Sequence, residues 1–168
     1  APWVGTLIKN INQPIILVCS NEKETEAVTR LARIGYDNSI GFLAGGIQSW
    51  IKAGFKTDSV ISIQPSTLEE NVNDISNLID VRKPGEFNAE HIKNIENIPL
   101  DFIYDLMDKY DPNKTYHIHC QGGYRSMIAS SILKANGIHN VIDISGGFQL
   151  IKDSTNLELV TQECSSKT

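Results

Sequence analysis

The 168 residues, 40% of them apolar, suffice for one good hydrophobic core or two small ones. Fifteen basic and twenty acidic side chains leave a net charge of −5 with no Lys/Arg block, which argues against a nucleic-acid partner. No apolar run approaches the roughly 20 residues of a membrane span and no charged segment leads an apolar one at the start, so no membrane is expected and the cytoplasm is the expected compartment.

Read in chain order, Pro2 to Ile8 predicts a short helix. Ile15-Ile16-Leu17-Val18 predicts an apolar strand ending at Cys19, and the spacing of Ala27, Val28, Leu31, Ala32 and Ile34 predicts a helix closed by Gly35. Ile40 to Leu43 and then Gly45-Gly46 follow. The same layout returns with Tyr116 to His119 as strand, Cys120 at its end, Met127, Ile128, Ile132 and Leu133 on a helical face, and Gly137 closing it. Val141 to Ile144 and Gly146-Gly147 complete it. Cys19 precedes Cys120 by 101 positions, and Gly45 precedes Gly146 by the same number, so the two segments are copies of one unit.

The second copy also has a front half. Asn77 to Arg82 predicts a buried strand, Pro84 to Phe87 the start of a short helix, Ile98-Pro99-Leu100 another short strand, and residues 101–109 a helix stopped by Asp111-Pro112-Asn113. Strands alternating with helices imply an α/β fold, a parallel sheet flanked by helices on both faces, with one partial and one complete unit. The boundaries read as residues 1–57 for the partial unit, a polar linker at 58–71, the complete unit at 72–154, and a tail at 155–168 carrying Cys164. The first strand would then keep an unpaired apolar edge, which suggests a longer polypeptide or another chain supplying the missing strands. Three cysteines, Cys19, Cys120 and Cys164, lie far apart and suit free thiols in a reducing compartment. None has zinc-site spacing with a histidine, and His117 and His119 flank a strand period, so no metal is expected.

Cys120-Gln121-Gly122-Gly123-Tyr124-Arg125-Ser126 places a thiol between a strand end and a helix N-terminus, within a ring of backbone N–H groups. Such a ring binds an anion and favours a thiolate. Gly122 and Gly123 permit the torsions the turn needs, and Arg125 adds a cation. A cysteine that merely fills a core requires neither. Asp80 and Arg82 fall where a parallel strand's C-terminal end meets that loop, and Glu86 could pair with Arg82 to brace it. His91, His117 and His119 are expected to pack rather than react.

Ile79-Asp80-Val81-Arg82, Glu86-Phe87, His91-Ile92, Ile98-Pro99, the loop from Cys120 to Arg125 and Ser145-Gly146-Gly147 resemble the successive signatures of the rhodanese homology domain. Glu90 and Asn94 stand where that pattern usually has glycines, and residues 148–152 lack its usual tryptophan. The resemblance implies a sulfurtransferase. In that reading Cys120 takes the outer sulfur of thiosulfate or a thiol persulfide and passes it to a thiol acceptor, the amides of Gln121 to Ser126 hold the persulfide charge, and Arg125 attracts the small anionic donor. Four residues separate Cys120 from Arg125, one fewer than in cysteine-dependent phosphatases of related fold, so phosphate chemistry is the weaker alternative. A non-catalytic docking module is another.

The first copy reads Cys19-Ser20-Asn21-Glu22-Lys23-Glu24, with neither glycine nor arginine, and its glutamates oppose a thiolate. Cys19 is expected to be structural, although Gly45-Gly46 and Trp50 keep the rhodanese look. A degenerate copy followed by an intact one resembles the C-terminal part of bacterial fusion proteins that begin with a metallo-β-lactamase-like persulfide dioxygenase domain. That resemblance implies an iron-binding domain elsewhere in the polypeptide and no cofactor in this chain.

Overall fold

The computed structural model describes residues 2–161; Cys164 lies outside them. The chain divides into two compact units, Ala1–Asp58 and Ser59–Thr168. Among the described residues no helix is long and apolar enough to cross a membrane.

The first unit runs α1 (Pro2–Leu7), β1 (Ile15–Leu17), α2 (Glu24–Ala32), β2 (Ser39–Phe42) and α3 (Gly46–Lys52). Glu24 and Glu26 in the first turn of α2 complement its positive N-terminal end, and Arg30 pairs with Glu26 at 2.6 Å. Gly35, at φ 85°, then turns the chain in the left-handed region toward β2. Strands β1 and β2 pair in parallel, Leu17 opposite Phe42, and no further strand joins them among the described residues. Both edges therefore stay open, and Ile16 (66%), Val18 (58%) and Ile40 (62%) remain exposed.

The second unit continues with β3 (Ile61–Ile63), α4 (Pro65–Glu70), β4 (Leu78–Asp80), α5 (Pro84–Ala89), β5 (His91–Ile92) and β6 (Glu96–Asn97). Two 3-10 turns follow, Leu100–Phe102 and Met107–Lys109, then β7 (Tyr116–His119), α6 (Tyr124–Ala135), β8 (Val141–Ile144), α7 (Gly147–Ser154) and β9 (Leu159–Val160). The sheet order is β3-β8-β7-β4-β6, parallel throughout. A separate short pair, β5 and β9, runs antiparallel. Leu68, Leu78, Ile92, Ile144, Phe148 and Ile151 form one buried cluster, and Ile118, Ala129 and Leu133 are fully covered as well.

The sequence positions 101 residues apart show what the extra strands do. Val141 on β8 is 3% exposed where its counterpart Ile40 is 62% exposed, because β3 covers the flank of β8 and no strand among the described residues does the same for β2.

Five sequence expectations need correction. The stretch 58–71 is no linker: Ile61 and Ile63 enter the sheet through β8, Pro65 starts α4 at a position needing no amide hydrogen, and Leu68 is fully buried. The short strand expected at Ile98-Pro99-Leu100 lies at Glu96–Asn97, since Pro99 lacks an amide and Leu100 already opens a 3-10 turn. The helix expected at 101–109 is split into two such turns, with Leu106 leaving helical torsions at φ −114°. The tail contributes β9, paired to His91 and Ile92, with Leu157 and Leu159 packed on the core. On α6 the sheet-facing side is Ser126, Ala129, Ser130 and Leu133, small residues that let the helix approach closely, while Met127 is 41% exposed.

Candidate active site

Strand β7 is central and parallel on both sides, so its C-terminal end opens into the crevice where loops from neighbouring strands meet. Cys120 is the first residue beyond that end, with 1% of its surface exposed. The chain then turns through Gln121 and Gly122 to Gly123, whose φ of 90° makes it the left-handed N-cap of α6. This turn brings the Gly123 amide to the thiol, which it reaches at 3.2 Å from Sγ. The N-terminal end of α6 adds its own positive field.

A second glycine turn braces the first. Phe148 N–H donates to the Cys120 carbonyl at 2.6 Å, and Gln149 N–H donates to the Gln121 carbonyl at 3.1 Å. Gly147 makes this approach possible: a Cβ there would stand 2.4 Å from the Cys120 oxygen. The equivalent Gly46 makes a looser version of the same approach to Cys19, where a Cβ would meet the carbonyl oxygen at 2.9 Å. The turn after Cys19 nonetheless puts a glutamate, Glu22, at φ 68°, without glycine. Its backbone frame survives while its anion cradle does not.

The carboxylates and arginines sort differently from the sequence expectation. Glu86 pairs with Arg125, not Arg82: Arg125 Nη1 and Nη2 donate to the two Glu86 oxygens at 2.6 and 2.7 Å. Glu86 stands at the third position of α5, where its carboxylate also accepts the Lys83 amide at 3.2 Å. The Arg125 hydrogen bonds hold the Glu86 carboxyl below its ordinary range and raise Arg125 in turn. Arg82 is buried against Asp80, with Nη2 to Oδ2 at 2.7 Å and Nε to Oδ2 at 2.8 Å. Its remaining donors reach the Gln121 side-chain oxygen at 3.1 Å and the Glu90 carbonyl at 2.7 Å, and its guanidinium lies 3.8 Å from the centre of the Phe148 ring. Arg82 thus ties three loops together from beneath.

Sequence reasoning assigned no role to Asn97, Phe148 or Gln149. The Asn97 side-chain amide donates to the carbonyls of Asp80 and Arg82 at 2.8 and 2.9 Å, fixing the bend that aims Arg82. The signal for Phe148 and Gln149 was the Gly-Gly pair at the same offset in both copies. Tyr124 and Ser126 part company: Tyr124 is 69% exposed on the loop, whereas Ser126 is buried with its hydroxyl donating to the Gly123 carbonyl at 3.1 Å.

His119 is fully buried behind Cys120, and its Nε2 has no hydrogen-bond partner among the described residues. The Asp80 oxygen 4.0 Å away is too far for one. Burial pushes the imidazole down from its ordinary value, with Asp80 opposing. His91 stacks on Phe87 with ring centres 3.7 Å apart and contacts the Phe87 carbonyl through Nδ1, a packing role. A cleft lined by Asn77, Ile79, Lys93 and Tyr116 lies toward the opposite end of β4 and β7 and shares no residue with the Cys120 loop.

Comparison with known proteins agrees with this arrangement. The rhodanese-like domain family matches residues 2–53 and 64–154, covering most of both units. YqhL, an uncharacterised protein of Bacillus subtilis, is 36% identical over 72 residues, 43% of this chain and 57% of its own length. The thiosulfate sulfurtransferase GlpE of Pseudomonas syringae is 30% identical over 83 residues, 49% of this chain and 78% of its own. A rhodanese-related protein of Thermoplasma volcanium superposes with a TM-score of 0.55 at 30% identity, over 61% of this chain and 99% of its own. The chain spans about half the length of several curated relatives. With a family match across both units and an intact loop around Cys120, the chain belongs to the rhodanese-like domain family.

Proposed function

We propose that the second unit is a sulfurtransferase whose nucleophile is Cys120. The observation that carries this reading is the position of Sγ, one residue past a central parallel strand and within hydrogen-bond reach of the Gly123 amide. The thiosulfate sulfurtransferase activity named for the Pseudomonas syringae relative supports it.

In the first step the Cys120 thiolate attacks the outer sulfur of thiosulfate or a thiol persulfide. The donor's sulfur–sulfur bond breaks, sulfite or a thiolate leaves with its electron pair, and Cys120 carries a persulfide. The Gly123 amide and the N-terminal end of α6 stabilise the terminal negative sulfur. A thiol acceptor then attacks that sulfur and restores the Cys120 thiolate. Thiocyanate formation from thiosulfate and cyanide tests the cycle: the native protein forms it, and Cys120→Ser does not.

The first unit is a non-catalytic companion in this proposal, supported by Glu22 in place of a loop glycine and by the open edges of β1 and β2. Its missing neighbours would come from elsewhere in a longer polypeptide or from another chain. Fusion to an iron-dependent persulfide dioxygenase domain is the arrangement the sequence resemblance suggests, and the size of the protein purified from its natural source tests it.

A further inference from the structure

Resting on the sulfurtransferase reading, we infer that the preferred donor is an organic persulfide carrying a single negative charge, and that the Glu86–Arg125 pair sets this preference against dianionic thiosulfate. The loop's own cation is Arg125, and both of its terminal nitrogens are held by Glu86 at 2.6 and 2.7 Å. The other nearby guanidinium, Arg82, is 2% exposed and faces Asp80. Two lysines on flanking elements are also matched, Lys83 by Asp101 at 3.7 Å and Lys152 by Glu90 at 2.5 Å. The second loop position, Gln121, is uncharged, and its side-chain oxygen already accepts from Arg82.

Charge around the thiol therefore nearly cancels. What the loop offers a donor is the Gly123 amide, suited to one anionic sulfur, and the exposed ring of Tyr124, with exposed Met127 one turn further along α6. Tyr124 and Met127 stand three positions apart on α6 with 69% and 41% of their surfaces exposed, on one side of the helix. A sulfonate group carrying a second charge finds no unmatched cation there among these residues. The organic part of a thiol persulfide can lie against Tyr124 and Met127. The step balances as before: Cys120 Sγ bonds the donor's outer sulfur, the donor's S–S bond breaks, and the thiolate leaves with the electron pair.

The test compares kcat/KM for cysteine persulfide, whose carboxylate, ammonium and ionised persulfide leave one net negative charge, and for thiosulfate with a common thiol acceptor, in the native protein, Glu86→Gln and Gln121→Lys, each first shown folded by circular dichroism. The native protein should favour the persulfide by about tenfold or more. Glu86→Gln, which frees Arg125, and Gln121→Lys, which adds a cation, should each raise the thiosulfate value at least ~5-fold, with a new fall as salt increases, and change the persulfide value less. Either variant, if folded, suffices for this comparison. A native preference for thiosulfate, or folded variants with unchanged donor ratios and salt dependence, would overturn the inference. Failure of both donors to form a Cys120 persulfide would instead remove the sulfurtransferase reading on which it rests.

Discussion

The amide of Phe148 donates to the carbonyl oxygen of Cys120 at 2.6 Å, so the nucleophile's backbone is held from the start of α7 as well as by its own strand. Gly147 permits that contact, with φ at 61° and no room for a side chain beside the Cys120 carbonyl. Gly147→Ala should destabilise the second unit by about 2–3 kcal/mol, read from denaturant unfolding. Sulfur transfer by the folded fraction should fall with it, because the loop must shift to admit the methyl group.

The buried Asp80–Arg82 pair predicts a strongly non-additive mutant cycle. Arg82→Met leaves a carboxylate with 0% exposure facing no cation, at a cost of about 3–5 kcal/mol. Asp80→Asn leaves Arg82 in the same position. The double variant should lose less than the sum of the two, which urea titrations of all four proteins would measure.

Two ionisable groups give stability opposite origins but the same direction with pH. His119 stays neutral when buried, so the unfolded chain takes up its proton first; stability is intact above about pH 6.5 and erodes as pH falls below it. Glu86 is held low by Arg125, so its contribution is present above the ordinary carboxylate range and disappears as pH falls through its lowered value. The Glu86 side chain is 35% exposed, which makes its share small. Melting curves between pH 7 and pH 5 should slope downward, and His119→Gln should reduce that slope, leaving the part set by His117, which burial also pushes down.

Hydrogen exchange should distinguish the two units. Amides of Ile118 and its neighbours in β7 lie between β4 and β8, whereas β1 has one partner strand and an open edge. Amides of Ile16 and Leu17 should therefore exchange at least ~100-fold faster than those of His117 and Ile118. Equal protection would mean that the first unit's edge is closed in solution.

Much of the site was legible because its residue types are dictated locally. A strand ending in Cys120, glycine where φ must be positive, and a helix starting at Tyr124 all leave marks in consecutive residues. The partner of Glu86 did not, since Arg82 is nearer in sequence and only the approach of α5 to α6 selects Arg125. Strand β3 escaped for a related reason: it is three residues long, alternates around Ser62, and joins the sheet through β8, some 80 positions later. The 101–109 stretch carried a helical pattern, yet Ile103 and Tyr110 are buried by two separate turns rather than one continuous face.

The central claim is that Cys120 carries sulfur covalently, and intact mass spectrometry tests it most directly. After incubation with glutathione persulfide or thiosulfate and removal of excess donor, the native protein should gain one sulfur, about 32 Da, and Cys120→Ser should gain none. No gain in the native protein with either donor, or an equal gain in Cys120→Ser, would contradict the account.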